Sequence, residues 1–248
     1  MKLLLKGILV LLGLICLWEL IVVLFHLPSF ILPSPKQVFI IAINRADLIA
    51  HECYITICET FIGLLLGILF GSITAVMMAF FQRLSFLVLP ILIISQALPT
   101  FAIAPLLVIW FGYGMASKIF TASLMIFFPI TSAFYDGLRQ TNKGWIDLAK
   151  TMQAKKWCAF IFIRIPSALP ALASGIRVAT VAAPIGAVIG EWVGASEGLG
   201  YLMLNANARM QIDLMFAALF TLVIFSLLLY FFVDRILKIA IPWTSHYV

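Results

Sequence analysis

Leu84 to Ser117 is a run of 34 residues without one charged side chain. Thr60 to Gln82 and Leu214 to Val233 add uncharged runs of 23 and 20 residues. A helix needs ~20 apolar residues to cross the hydrocarbon of a bilayer. Only helices or closed barrels satisfy their backbone there, and these runs far exceed the ~10-residue alternating strands of a barrel. The fold class expected is therefore an all-α membrane protein. Composition agrees, with 64% hydrophobic and 10% charged residues where a soluble domain carries about 25% charged. That excludes a disordered chain, a collagen-like chain and an ordinary soluble enzyme.

Six transmembrane helices are predicted, at about 7–25, 60–82, 84–110, 115–136, 167–191 and 214–233, in a single domain over 1–248. The first follows Lys2 and Lys6 and contains only Glu19. It is long for a signal peptide and no small-x-small cleavage site follows, so a retained span is expected. The 34-residue run is too long for one helix. Pro90, Pro99 and Pro105 punctuate it and Gly112-Tyr113-Gly114 ends it, which separates the third span from the fourth.

The placement of basic residues orients the chain. With the N-terminus inside, eleven of the sixteen Lys and Arg residues fall in inner segments. Four, Lys36, Arg45, Lys118 and Arg209, fall outside, and Arg177 lies within a span. The excess puts both termini in the cytoplasm. The net charge of +6 thus serves the membrane and its lipid, and no nucleic-acid partner is expected. Cys16, Cys53, Cys58 and Cys158 show no CxxC spacing and read as small hydrophobes.

Between the spans, Ser34-Pro-Lys-Gln37 forms a capping box with Pro35 at the first helical position. The helix it opens reads either as amphipathic and lying at the outer membrane surface or as a connector packed on the bundle. Gly63, Gly67 and Gly71 share one face of span two and read as a close helix–helix contact.

The loop at about 137–166 holds six of the sixteen basic residues. It reads as two short helices. In the first, Trp145, Ile146, Leu148, Ala149 and Met152 form an apolar face and Asp147 lies in the first turn. The second runs from Lys155 to Ile163, with Pro166 as its stop. Such a pair fits either docking into a groove on a cytoplasmic partner or lying on anionic lipid.

No catalytic constellation emerges. His26, His51 and His246 lie in or near connectors, and HExxH, GxxxxGK[ST] and GxGxxG patterns are absent, so the chain is expected neither to hold a metal nor to bind ATP itself. Glu19, Arg177 and Glu191 are the intramembrane charges, with Glu59 at a boundary. Arg177 and Glu191 are ~21 Å apart along span five and cannot pair within it. They read either as snorkelling to opposite interfaces or as lining a solute route. Pro184 between them is expected to kink the helix.

The loop resembles the cytoplasmic loop of permease subunits of bacterial ATP-binding-cassette importers, whose pattern is Glu-Ala-Ala, three residues, Gly, nine residues and Ile-x-Leu-Pro. Here Asp147-Leu148-Ala149, Gln153 and Ile163-Arg164-Ile165-Pro166 stand at that spacing. Asp replaces Glu, Leu replaces Ala, Gln replaces Gly and Ile replaces Leu. The stretches Phe30-Ile-Leu-Pro-Ser-Pro-Lys, Gln96-Ala-Leu-Pro-Thr-Phe-Ala and Ile189-Gly-Glu-Trp-Val-Gly-Ala-Ser-Glu-Gly-Leu-Gly look like the branch serving nitrate, sulfonate, taurine and thiamine precursors. Asn205 to Ala218 looks most like permeases for the thiamine pyrimidine precursor.

The resemblance implies a type I importer permease in the bacterial inner membrane, multi-pass and not itself an enzyme. It implies a homodimer, two cytoplasmic ATPase subunits that hydrolyse ATP with Mg, and a periplasmic binding protein that delivers the solute. Carried over, the ATPase-coupling positions are Asp147, Leu148, Ala149, Gln153, Ala154, Lys155 and Pro166. The hypothesised translocation wall comprises Pro99, Thr100, Pro105, Arg177, Ala183, Pro184, Gly186 and Glu191. An ion-coupled secondary carrier is the alternative from another class. It would show intramembrane carboxylates and internal repeats, and no clear repeat is seen.

Overall fold

The structure, a computed structural model, describes residues 2–244, without the side chains at 2–12, 82, 96, 97 and 244. His246, expected near a connector, lies outside the described residues. Helices follow in the order α1 (Lys2–Leu24), α2 (Pro35–Asn44), α3 (Ala46–Phe80), α4 (Gln82–Ala97), α5 (Thr100–Phe111), α6 (Met115–Arg139), α7 (Lys143–Thr151), α8 (Lys156–Ala159), α9 (Ile165–Gly194), α10 (Leu199–Ala208) and α11 (Ile212–Ala240). No strand occurs among the described residues. The all-α expectation holds.

Among the described residues, four helical stretches are long and apolar enough to cross a membrane: Ala46–Phe80, Met115–Arg139, Lys156–Gly194 and Ile212–Ala240. The expected third span over 84–110 is not one rod. It is a pair of helices bent by 103°, with Leu98 and Pro99 extended between them. Pro99 disfavours helical geometry at Leu98 and supplies no N–H to continue the ladder. Counting the pair as one span gives five, and Gly13–Leu24 of α1 is a shorter apolar stretch.

Two further boundaries differ from expectation. The connector after α2 is no separate surface helix beyond Asn44, because Ala46 begins α3, which runs unbroken into the span. Pro166 does not stop a helix either, since the helix is continuous from Lys156 to Gly194. A π turn at Phe160–Arg164 precedes the proline, and the Ile165 N–H reaches back five residues to the Phe160 carbonyl. The wider turn displaces the carbonyls that the pyrrolidine ring would otherwise strike.

The chain divides into two compact units. The first comprises Met1–Thr56 and Ser196–Ile224. In it Ser34 and Gln37 cap α2 reciprocally, as their spacing predicts. Trp18 of α1 stacks on Phe216 and Phe220 of α11, with ring centroids 5.8 and 5.4 Å away. The start of α10 is capped from α3, not locally. Glu52 accepts the Gly198 N–H, and Thr56 Oγ1 accepts the Leu199 N–H at 2.9 Å. A carboxylate there also suits the positive end of the helix dipole. Gly198 takes φ +112°, a conformation that needs glycine.

The second unit comprises Ile57–Ala195 and Phe225–Val248. Helix α6 is its centre, packed along α9 on one side and α3 on another. Gly63, Gly67 and Gly71 of α3 meet Ala122, Ile126 and Ile130 of α6. On α9, Gly175, Gly186 and Gly190 meet Ala133, Ala122 and Lys118. In lipid, helices gain little from hydrophobic transfer and associate by close packing, so small residues at the seam carry the assembly. The three-glycine face of span two is thus a packing face. Large apolar side chains remain exposed elsewhere, such as Leu227, Leu228, Phe231 and Phe232 of α11, which suits a lipid-facing surface.

Candidate functional site

The connector between α6 and α9 is a built structure. Asn142 Oδ1 accepts the Gly144 N–H at 2.8 Å and caps α7. The helix therefore starts at Lys143, and Asp147 lies in its second turn, not its first. There it pairs with Lys150 at 2.9 Å, both side chains well exposed. Helix α7 ends in a Schellman motif. The Gln153 N–H bonds the Lys150 carbonyl and the Ala154 N–H bonds the Ala149 carbonyl, both at 2.9 Å.

Gln153 holds the left-handed conformation at φ +56°. The position that the family pattern gives to glycine is thus shaped for glycine here too. Gln153→Gly is expected to stabilise the fold by about 0.5–1 kcal/mol, because a side chain pays for left-handed backbone and glycine does not. Scanning fluorimetry should show a rise in Tm of about 2 °C. His26 at φ +46° and Met210 at φ +58° close α1 and α10 in the same way.

Both ends of the connector are pinned. Arg164 donates through Nε and Nη2 to the Leu138 carbonyl, at 3.2 and 2.9 Å. The Thr141 and Ser167 hydroxyls lie 3.1 Å apart. Trp157 meets Phe80 edge-on at 5.3 Å, and Phe160 does so at 5.5 Å. These contacts fix the direction in which α7 points.

The apolar face of α7 divides. Ala149 is buried, while Trp145, Leu148 and Met152 are 53%, 60% and 74% exposed. They border an open groove of about 780 Å³ that Phe162, Pro166 and Trp243 also line. Gln153, Ala154 and Lys155 are exposed at its end and Pro166 is half-buried. Asp147, Leu148 and Ala149 thus lie on α7, Gln153 to Lys155 form the turn after it, and Pro166 lies in the first turn of α9. No cluster of His, Cys, Asp or Glu able to hold a metal occurs among the described residues.

Residues 63–246 match the family of binding-protein-dependent transport system inner membrane components. The chain belongs to that family. A probable ABC transporter permease protein of Haemophilus influenzae is 54% identical, over 94% of this chain and 96% of its own length. The formylaminopyrimidine transport permease protein ThiX of Halalkalibacterium halodurans is 36% identical, over 93% and 92%. The structure of the MetNI methionine ABC transporter in inward-facing conformations contains a chain of the same fold, with TM-score 0.66 and 20% identity over 79% of this chain and 97% of that one. This chain is therefore an inner-membrane ABC importer permease, a non-catalytic transport component.

In this permease the residues hypothesised as a translocation wall fall into three groups. Pro99, Thr100 and Pro105 lie at and after the bend between α4 and α5, with both prolines exposed. Ala183, Pro184, Gly186 and Glu191 are buried. Ala183 packs with Leu64, Ile126, Ile130 and Ala179, and Gly186 lies against Ala122. Arg177 donates from Nε to Asp234 Oδ1 of α11 at 2.7 Å, and Lys238 reaches Oδ2 of the same carboxylate at 2.8 Å. Asp234 as a partner was not legible, because nothing within α9 announces it. Lys118, expected in an outer loop, is buried inside α6. Its Nζ lies 2.9 Å from Glu59 Oε1, so it carries no weight in a loop-charge comparison.

Proposed function

We propose that this permease works as a homodimer, with two ATP-hydrolysing subunits docked below it and a periplasmic binding protein presenting solute from above. The observation that carries this reading is the exposed apolar face of α7. Trp145, Leu148 and Met152 stand out from a helix that is capped, closed and pinned at both ends. An ordered apolar helix face is what a partner's groove requires, read as anchors spaced along one side. ATP and magnesium belong to the docked subunits. Their closure moves α7, and the pinned connector passes the movement to α6 and α9, giving an alternating-access cycle. The wall formed by Pro99, Thr100 and Pro105 at the 103° bend is the part of the route that this chain supplies, since irregular backbone at membrane depth is tolerated where it lines a cavity.

The solute is a small pyrimidine precursor of thiamine. Support comes from the identity with the formylaminopyrimidine permease along nearly the whole chain. A strain deleted for this chain and dependent on external precursor should stop growing on the aminopyrimidine and recover on thiamine itself. Its growth on taurine, an alkyl sulfonate or nitrate should be unchanged. Normal growth on the pyrimidine, with failure on a sulfonate or nitrate, would replace this solute with that one.

A further inference from the structure

We propose that a second pocket beside α7 holds a phosphate-bearing anion, of the kind an anionic phospholipid carries in its headgroup. The pocket has a volume of about 410 Å³. It is lined by Phe80 of α3, Ile146 and Lys150 of α7, Lys156 of α8, and Phe160 and Arg164 of the π turn, among others. It lies on a different flank of α7 from the groove that Trp145, Leu148 and Met152 border, and Ala149 touches both.

Charge gives the pocket its chemistry. Three cations line it, and among the described residues no carboxylate does. Lys150 is balanced by Asp147 at 2.9 Å. Lys156 and Arg164 have no carboxylate partner among the described residues. Arg164 directs Nε and Nη2 to the Leu138 carbonyl, and among the described residues its Nη1 group meets no acceptor. Two unbalanced cations in one concavity repel each other, and an anion seated between them relieves the repulsion. A phosphate group suits both, since its several oxygens accept charge-assisted hydrogen bonds from a guanidinium and an ammonium together.

Position points to the source. Phe80 ends one stretch long enough to cross a membrane, and Lys156 begins another. The pocket therefore lies where two such stretches end, the level at which hydrocarbon gives way to headgroups. Basic pockets between helices at that level suit anionic headgroups. The walls of Phe80, Ile146 and Phe160 offer an apolar seat for the glycerol end of a lipid, which a free ion would not use. An occupant touches α3, α7 and the π turn that leads into α9, so it braces α7 against the bundle.

Scanning fluorimetry of the purified permease in neutral detergent tests this, with dioctanoyl phosphatidylglycerol or dioctanoyl phosphatidylcholine added at constant ionic strength. The rise in Tm should reach its half-point at a concentration at least ~10-fold lower for phosphatidylglycerol. Lys156 is exposed, so its variants should fold. Lys156→Glu should erase the preference, because it sets a repelling charge in the pocket, and Lys156→Arg should keep it. Lys143→Glu makes the same charge change at an exposed position of α7 outside the pocket and should also keep it. Inorganic phosphate is the third titrant. Protection by phosphate alone, lost in Lys156→Glu, assigns the pocket to a soluble anion, and protection by the lipid only assigns it to a headgroup. Equal response to the two lipids with none to phosphate overturns the proposal, and so does equal loss in the Lys143 and Lys156 variants. If Lys156→Glu keeps the lipid preference and instead weakens capture of a co-expressed ATPase subunit, the cations serve that partner and the proposal falls. Binding is read on the permease alone, so the outcome is independent of which solute is carried.

Discussion

Leu148→Asp is expected to lower ATP-driven uptake in proteoliposomes at least ~30-fold, with Tm unchanged within about 1 °C. Leu148 is 60% exposed on α7 and supports no core, so its replacement costs the isolated permease within about 0.5 kcal/mol. Buried in a partner's groove, the same side chain would be an anchor. A charge there costs about 2 kcal/mol of docking or more, which is roughly a 30-fold loss of affinity. The pairing of lost transport with unchanged stability is the signature. Ala149 is a poorer probe, because it is 5% exposed and a bulky charge there would disrupt the connector itself. Full uptake by the Leu148 variant would remove α7 as the docking element.

Gly186→Leu is expected to destabilise the permease severely. A Cβ at Gly186 would lie 2.8 Å from the Ala122 Cα. Both atoms are fixed to helix backbones, so neither can swing aside as the end of a flexible side chain would. Overpacking of this kind costs about 3 kcal/mol or more, which corresponds to a fall in Tm of about 10 °C. Size-exclusion profiles of detergent-solubilised protein should change from one peak to aggregate. Gly13→Leu is the control: nothing lies within 4 Å of a Cβ there, and the profile should stay as in the wild type. Equal behaviour of the two variants would refute the glycine seam between α6 and α9.

Much of this fold is written in local pattern. The capping box at Ser34, the packing face of Gly63, Gly67 and Gly71, and the paired helices between α6 and α9 follow from neighbouring residues. The break between those two helices falls at Gln153, where the spacing puts it. Tertiary facts were not legible. Three prolines punctuate the 34-residue uncharged run, and nothing local says that Pro99 is the one that turns the chain by 103°. Five apolar residues on α7 look equivalent in sequence, yet packing against the bundle takes Ala149 and leaves Leu148 out. Lys118 reads as a loop charge because its partner, Glu59, lies 59 residues earlier in the chain. Pro166 reads as a stop because the preceding π turn carries no strong signature of its own.

That π turn stores a residue. It holds one more than an α-helix would use over the same rise, so the segments on either side face nearly as they would in a plain α-helix one residue shorter. Deleting a single residue from Phe160–Arg164 would restore that plain helix and leave Trp145, Leu148 and Met152 aimed much as before. A second deletion has no such reserve, because each further residue removed turns everything before it by ~100° about the axis. The stretch before Pro166 therefore tolerates the loss of one residue and not of two.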